Sequence, residues 1–202
     1  EMDIVDSRLH TLFNDEQFEL VNHHAAQMSV RISVSDPTFD ARQNILGGIN
    51  VFEASKNSHV KKIIFSSSGG TVYGEQTQFP AKENDPLQPI SPYGVAKLSS
   101  ELYLNYYAAV HGLKNVVLRY ANVYGPRQLS DGEAGVVAIF SDKMLNNQAP
   151  LINGDGLQTR DYVYVGDVVE ANVLALSSTV EGVFNVGTGI ETSVVEIFST
   201  LA

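Results

Sequence analysis

Apolar positions along the 202-residue chain change period repeatedly, from the two of a strand to the 3.6 of a helix. "FELVNHHAA" opens as a short apolar strand, and "DPTFDARQNILGGINVFEASKNS" carries Phe39, Ile45, Ile49 and Phe52 at near-helical spacing. "VKKIIFSSS" predicts a buried strand, "SPYGVAKLSSELYLNYYAAVHG" a helix, and "NVVLRYANVYG" a further strand. Beyond Pro126, "GPRQLSDGEAG" predicts a loop and "VVAIFSDKMLNNQ" a helix. "APLINGDG" and "TRDYVYVGD" look strand-like, "VVEANVLALSS" helical, "VFNVG" strand-like, and a last helix closes the chain. Strands that alternate with helices imply an α/β fold, a doubly wound and mostly parallel sheet with helices on both faces. There is no internal repeat.

The two ends modify that picture. A sheet of this kind that binds a dinucleotide opens with a strand, a Gly-rich turn and a helix. Here residues 1–6 pass straight into "MDIVD", which reads as the tail of a strand, and the other end runs out in "SVVEIFSTLA". The expectation is an internal piece, or a shortened form, of a longer protein.

Composition narrows the partners. A formal charge of −10 argues against a nucleic-acid or anionic-membrane surface, which needs clustered Lys and Arg. No apolar run approaches the roughly 18 residues of a membrane span, and the first residues do not resemble a signal peptide. Neither nucleic acid nor membrane is therefore expected as a partner. The chain has no cysteine, which removes thiolate chemistry and fits a reducing, cytoplasmic setting. His23 and His24 are adjacent, whereas two metal ligands on one helix face need a spacing of three or four, so no metal is expected.

Candidate chemistry lies in four places. Tyr93 and Lys97 in "SPYGVAK" are four apart, on one helix face. At a separation of about 7 Å and an effective dielectric of about 20, the ammonium would stabilise a phenolate by ~2.4 kcal/mol and lower the Tyr pKa by nearly two units. That would make the phenol a base usable near neutral pH. The hydroxyl run "FSSSGGTVYG" follows a strand, at the carboxyl edge where open α/β sheets bind ligands. Asn122 and Arg127 in "LRYANVYGPRQ", and Arg160 in "GDGLQTRDYVYV", are donors suited to phosphate oxygens.

Taken together, "NILGGINVFEAS", "FSSSGGTVYGE", "SPYGVAK", "LRYANVYGPRQ", "GEAGVVAIF", "GDGLQTRDYVYVGDV" and "FNVGTG" resemble, in content and order, the extended short-chain dehydrogenase/reductases. The resemblance is to the NAD-dependent epimerase/dehydratase group, and within it to UDP-glucose 4-epimerase-like members. It implies a partial Rossmann-type sheet over residues 1–125 and a small α/β substrate-binding portion over residues 126–202, with residues 161–190 partly returning to the main sheet. It implies NAD as cofactor, a nucleotide sugar as substrate, and a catalytic set of Ser68, Tyr93 and Lys97, with Ser67 the alternative hydroxyl. For the cofactor it implies Asp3, Ile4, His24, Ala25, Ala26, Gln27, Gln43, Asn44, Ser66, Ser67, Tyr93, Lys97, Tyr120 and Ala121. For the substrate it implies Ser68, Asn122, Val136, Val137, Leu151, Asn153 and Arg160.

Similar dehydratases and decarboxylases carry acids just after the hydroxyl residue. This chain has Gly69 and Gly70 there, which favours oxidation at C4 and return of the hydride over elimination. A non-catalytic module that keeps the fold, and a dehydratase or reductase acting on another nucleotide sugar, stay open at this point. The resemblance also implies a homodimer through "ARQNILGGINVFEAS" and the Tyr–Lys helix. The stripe Tyr103, Tyr106, Tyr107 and Val110 fits either that contact or packing on the sheet.

Overall fold

A computed structural model describes residues 1–131 and 135–202; residues 132–134, within the "GEAGVVAIF" motif and the expected loop, lie outside the described residues. Helix α1 (Leu9–Glu16) leads into β1 (Leu20–His23), then α2 (Val30–Ser35), α3 (Pro37–Ala41), a π-helical turn (Arg42–Leu46) and α4 (Gly47–Asn57). Strand β2 (Lys62–Ser68) is followed by the short α5 (Gly69–Val72) and the long α6 (Pro92–His111). Strands β3 (Lys114–Tyr120) and β4 (Asn122–Tyr124), α7 (Val136–Leu145), β5 (Thr159–Tyr164), α8 (Val165–Ser177), β6 (Gly182–Val186), β7 (Glu191–Ser193) and α9 (Val194–Leu201) complete the order.

Among the described residues β1, β2, β3 and β6 form one parallel sheet in that spatial order, and β4, β5 and β7 form a smaller mixed one. The register places Ser68 opposite Tyr120, and Tyr120 opposite Val186, so three strands finish level at the carboxyl edge. Alternation along β2 divides the core. Ile63 and Phe65 face α1, α4 and α6, where Phe52 and Leu104 are fully buried; Ile64, with Val116 and Leu118 of β3, faces α8 through Ala175. Phe52 meets Phe65 and Tyr107 edge-on, at centroid distances of 6.3 and 5.7 Å.

Helix α6 is bounded by its own sequence. Ser91 accepts a hydrogen bond from the Gly94 amide (3.1 Å), Pro92 occupies the first turn, and Gly112 ends the helix at φ 68°. A β-carbon at Gly94 would lie 2.7 Å from the carbonyl oxygen of Thr71, so only glycine lets this turn settle against α5.

Three sequence expectations change. "MDIVD" is a turn and not a strand tail: the Asp6 amide donates to Asp3 O, and Asn50 on α4 donates to the carbonyls of Ile4 and Asp6. "NVVLRYANVYG" is two strands in different sheets, parted at Ala121, whose amide donates to Val186 O. "APLINGDG" is irregular, because Gly154 and Gly156 both take positive φ and break the extended run. No helix among the described residues is long and apolar enough to cross a membrane.

Candidate active site

The carboxyl edge of the main sheet carries the predicted hydroxyl run, and strand alternation gives its three serines different fates. Ser66 Oγ donates to the His23 carbonyl at 3.1 Å. Ser67 points toward α6, where its hydroxyl donates to Glu101. Ser68 ends β2 half-buried, on the opposite face from Ser67, immediately before α5. Helix α6 rests on α5 through Gly94, which brings the Tyr93 turn close behind this edge.

Tyr93, Lys97 and Glu101 follow one another at intervals of four along one face of α6. Lys97 is 4% exposed; its Nζ donates to the Ser66 carbonyl at 2.8 Å and lies 4.9 Å from the ring centre of Phe65 and 5.7 Å from that of Tyr93. The expected fall in the Tyr93 pKa does not occur. Burial, followed by the nearby charge of Asp40, pushes the phenol up to about 12, while burial brings Lys97 down to about 8 against the pull of Asp40 and Glu101. A pairwise Coulomb sum omits the loss of solvation, and here that loss decides the direction.

Beneath this helix lies an ion pair that the sequence reading missed. Glu101 and Arg119 are both buried and meet at 2.6 Å. Arg119 stands directly opposite Ser67 across the β2–β3 pairing, so both side chains reach Glu101 from one sheet face. Arg119 also donates to the hydroxyl of Tyr73 (2.9 Å), which in turn donates to Asn185 Oδ1 at 2.7 Å. The continued spacing of four was a visible signal for Glu101; the cross-strand partner was not.

Tyr73, Arg119 and Asn185 line a cavity of ≈ 600 Å³ at the strand ends. Gly69, Gly70, Ala121, Asn122 and Arg160 share its wall, so two of the predicted substrate residues come together there. Arg160 Nη1 donates to the Thr159 carbonyl at 2.6 Å. Val136, Val137, Leu151 and Asn153 lie outside the lining, Leu151 and Asn153 exposed on the irregular segment before β5. Arg127 is exposed and adopts φ 72°.

The loop after β1 is held from within. The Gln27 amide donates to Asn44 Oδ1 and Asn44 Nδ2 donates back to Gln27 O, each at 2.9 Å. Both side chains also donate to Asp40 Oδ1, at 2.8 and 2.9 Å. His24, exposed at its ring, meets Asn22 and Asn172, and Asn172 donates to the Tyr120 hydroxyl at 2.8 Å. Ala25 and Ala26 are exposed, and Gln43 is half-buried on the π-helical turn. Ile4 lies beside α4 through Asn50 and Gly47, and Asp3 accepts from the amides of Val5 and Asp6. His23 is buried and held neutral, its pKa down to about 3 through burial above all. Among the described residues no group of three acidic or imidazole side chains could hold a metal.

Lys97 uses one of its three donors, and the hydroxyls of Tyr93 and Ser68 make no hydrogen bond within the described protein, which leaves donor capacity at the sheet edge. The donor set therefore fits a ribose and a sugar hydroxyl.

The NAD dependent epimerase/dehydratase family model matches residues 1–187. A UDP-glucose 4-epimerase of Mycolicibacterium smegmatis is 47% identical over 201 residues, covering 99% of this chain and 64% of the relative. The crystal structure of a Thermotoga maritima UDP-glucose 4-epimerase with UDP-glucose superposes with a TM-score of 0.97 at 51% identity, over 100% of this chain and 66% of that one. A Thermus thermophilus UDP-glucose 4-epimerase in complex with NAD gives 0.93 at 44% identity, over 99% and 66%. The chain thus spans slightly less than two thirds of the length of these relatives. With a matching model across nearly all its length and the Tyr–Lys helix set at the sheet edge, this chain belongs to the NAD dependent epimerase/dehydratase family.

Proposed function

We propose that the protein interconverts the C4 epimers of a nucleotide sugar of the UDP-glucose/UDP-galactose type, with NAD as a retained cofactor. The observation that carries this reading is the carboxyl edge itself: Lys97 lies 5.7 Å from the Tyr93 ring and donates to the Ser66 carbonyl at the end of β2, and the positions after Ser68 are glycines. Elimination needs a further acid and base at that point, and Gly69 and Gly70 have no proton to transfer. The names borne by similar proteins support the same reading. Bound NAD supplies the hydride acceptor and donor. Tyr93 takes up and returns the proton of the 4-hydroxyl, Lys97 places a positive charge beside the phenol, and Ser68 hydrogen-bonds the sugar oxygen. Asn122 and Arg160, on the cavity wall, hold the phosphates.

The test is direct. Purified protein, denatured and read by absorbance and fluorescence, is expected to release NAD(H), and the native protein to convert UDP-galactose into UDP-glucose. Conversion absent while the cofactor is present would sink the epimerase reading; an absence of both would also remove NAD.

A second copy of the chain is the proposed partner of the outer face of α6. Val95, Leu102, Tyr103, Tyr106 and Val110 are exposed there, next to Phe39 and Leu46, whereas Tyr107 of the expected stripe is buried in the core. Sedimentation should therefore give a dimer, and Leu102→Glu combined with Tyr106→Glu a monomer. A wild-type protein that sediments as a monomer would contradict this.

A further inference from the structure

Asp40 is 1% exposed. Its Oδ1 accepts from Gln27 and Asn44, and its Oδ2 is buried with no hydrogen-bond partner. An isolated buried charge is costly, so the protein's other buried charges bear on what balances it. Among the described residues these are Lys62, Lys97, Glu101 and Arg119. Glu101 and Arg119 neutralise each other. Lys62 donates to the carbonyls of Ala175 and Ser178, at the C-terminal end of α8, where the helix carries partial negative charge. Lys97 alone has neither a carboxylate nor a helix end, only one carbonyl and two ring faces. Helix α3, which carries Asp40, packs against α6, which carries Lys97.

We infer that Asp40 is the counter-charge of Lys97, a positioning residue that keeps the ammonium charged beside Tyr93 while it pins the loop carrying Gln27. The inference rests on the Tyr–Lys reading above for its role in turnover, but the coupling itself does not. Opposite charges in one dry interior attract over distances at which water would screen them. The other groups around the pair leave it uncompensated. His23 of β1 is neutral, Gln27 and Asn44 are uncharged, and Glu101 on α6 is committed to Arg119 on β3. Arg31 of α2 and Arg42 of the π-helical turn are exposed, and α5 has no titratable group. On α4, Glu53 pairs with Lys56 and with Tyr107, more than two turns of α6 beyond Lys97, and Lys62 lies at the far end of β2. The pKa directions agree: Asp40, ahead of Glu101, opposes the effect of burial on Lys97, and Lys97 opposes it on Asp40, whose carboxyl burial nevertheless raises.

The test is a lysine titration by NMR on protein labelled with ¹³C at the lysine ε-carbon, with Lys97→Met identifying the resonance. In Asp40→Asn, which keeps the acceptor for Gln27 and Asn44, the Lys97 midpoint is expected to fall by about one pH unit, a roughly tenfold change in its protonation equilibrium. By reciprocity, Lys97→Met is expected to raise the midpoint of the Asp40 carboxyl, which decides the matter if Asp40→Asn does not fold. A Lys97 midpoint unchanged in folded Asp40→Asn, or an Asp40 midpoint unchanged in Lys97→Met, would overturn the inference. Both readings are taken without substrate, so a protein that shows the coupling and no turnover would count against the proposed epimerase and leave this pair standing.

Discussion

Tyr93→Phe is expected to lower epimerisation by about 10²–10⁴-fold, the usual worth of a positioned acid or base. The substitution removes one oxygen and keeps the ring over which Lys97 sits, so the fold and the cation–ring contact survive. What disappears is the hydroxyl proposed to exchange a proton with the sugar. Burial already disfavours the phenolate, with the pKa pushed up to about 12. The residue therefore holds its proton in the substrate-free protein, and Lys97, 5.7 Å from its ring, is the group proposed to favour release. Steady-state rates with UDP-galactose decide the point, and a variant within about tenfold of wild type would remove Tyr93 from the reaction. Ser68→Ala in the same assay should also lose rate. Ser67→Ala should instead cost stability, because its hydroxyl is spent on Glu101.

The largest effect on stability is expected at Glu101. Glu101→Leu leaves the Arg119 guanidinium buried, without its carboxylate and, among the described residues, with only Tyr73 and the Glu83 carbonyl as remaining acceptors. Breaking a buried pair on one side costs about 3–5 kcal/mol. Urea unfolding should show that loss, and Glu101→Leu combined with Arg119→Met should recover most of it, since removing both charges removes the uncompensated one. A single variant that lost less than about 1 kcal/mol would mean that water reaches the arginine and that the pair is not the buried one described above.

The alternation of strands and helices was legible because each period is written locally, in residues a few positions apart. The main sheet, the long helix and the Tyr93–Lys97 face could all be read that way. What escaped depended on register or on burial. Arg119 reaches Glu101 because it sits across from Ser67, a pairing that no window of sequence contains. Asp40 lies in a segment that reads as an amphipathic helix, and it is buried where the loop from β1 meets it through Gln27 and α3 packs on α6. "APLINGDG" has the apolar content of a strand, but its glycines take positive φ. The rise in the Tyr93 pKa was out of reach for the same reason: desolvation is a property of the packed interior and has no signature in spacing.

Gly94 has a consequence for how the candidate site holds its dimensions. The first turn of α6 meets the backbone of α5 with only a hydrogen atom between them, and a methyl group there would collide with the Thr71 oxygen. The position of the first turn of α6 against α5, which follows β2 directly, is therefore gauged by main chain against main chain. Substitutions among the surrounding side chains can alter what fills the cavity, whereas the seat of the Tyr93 turn on α5 is set by backbone against backbone.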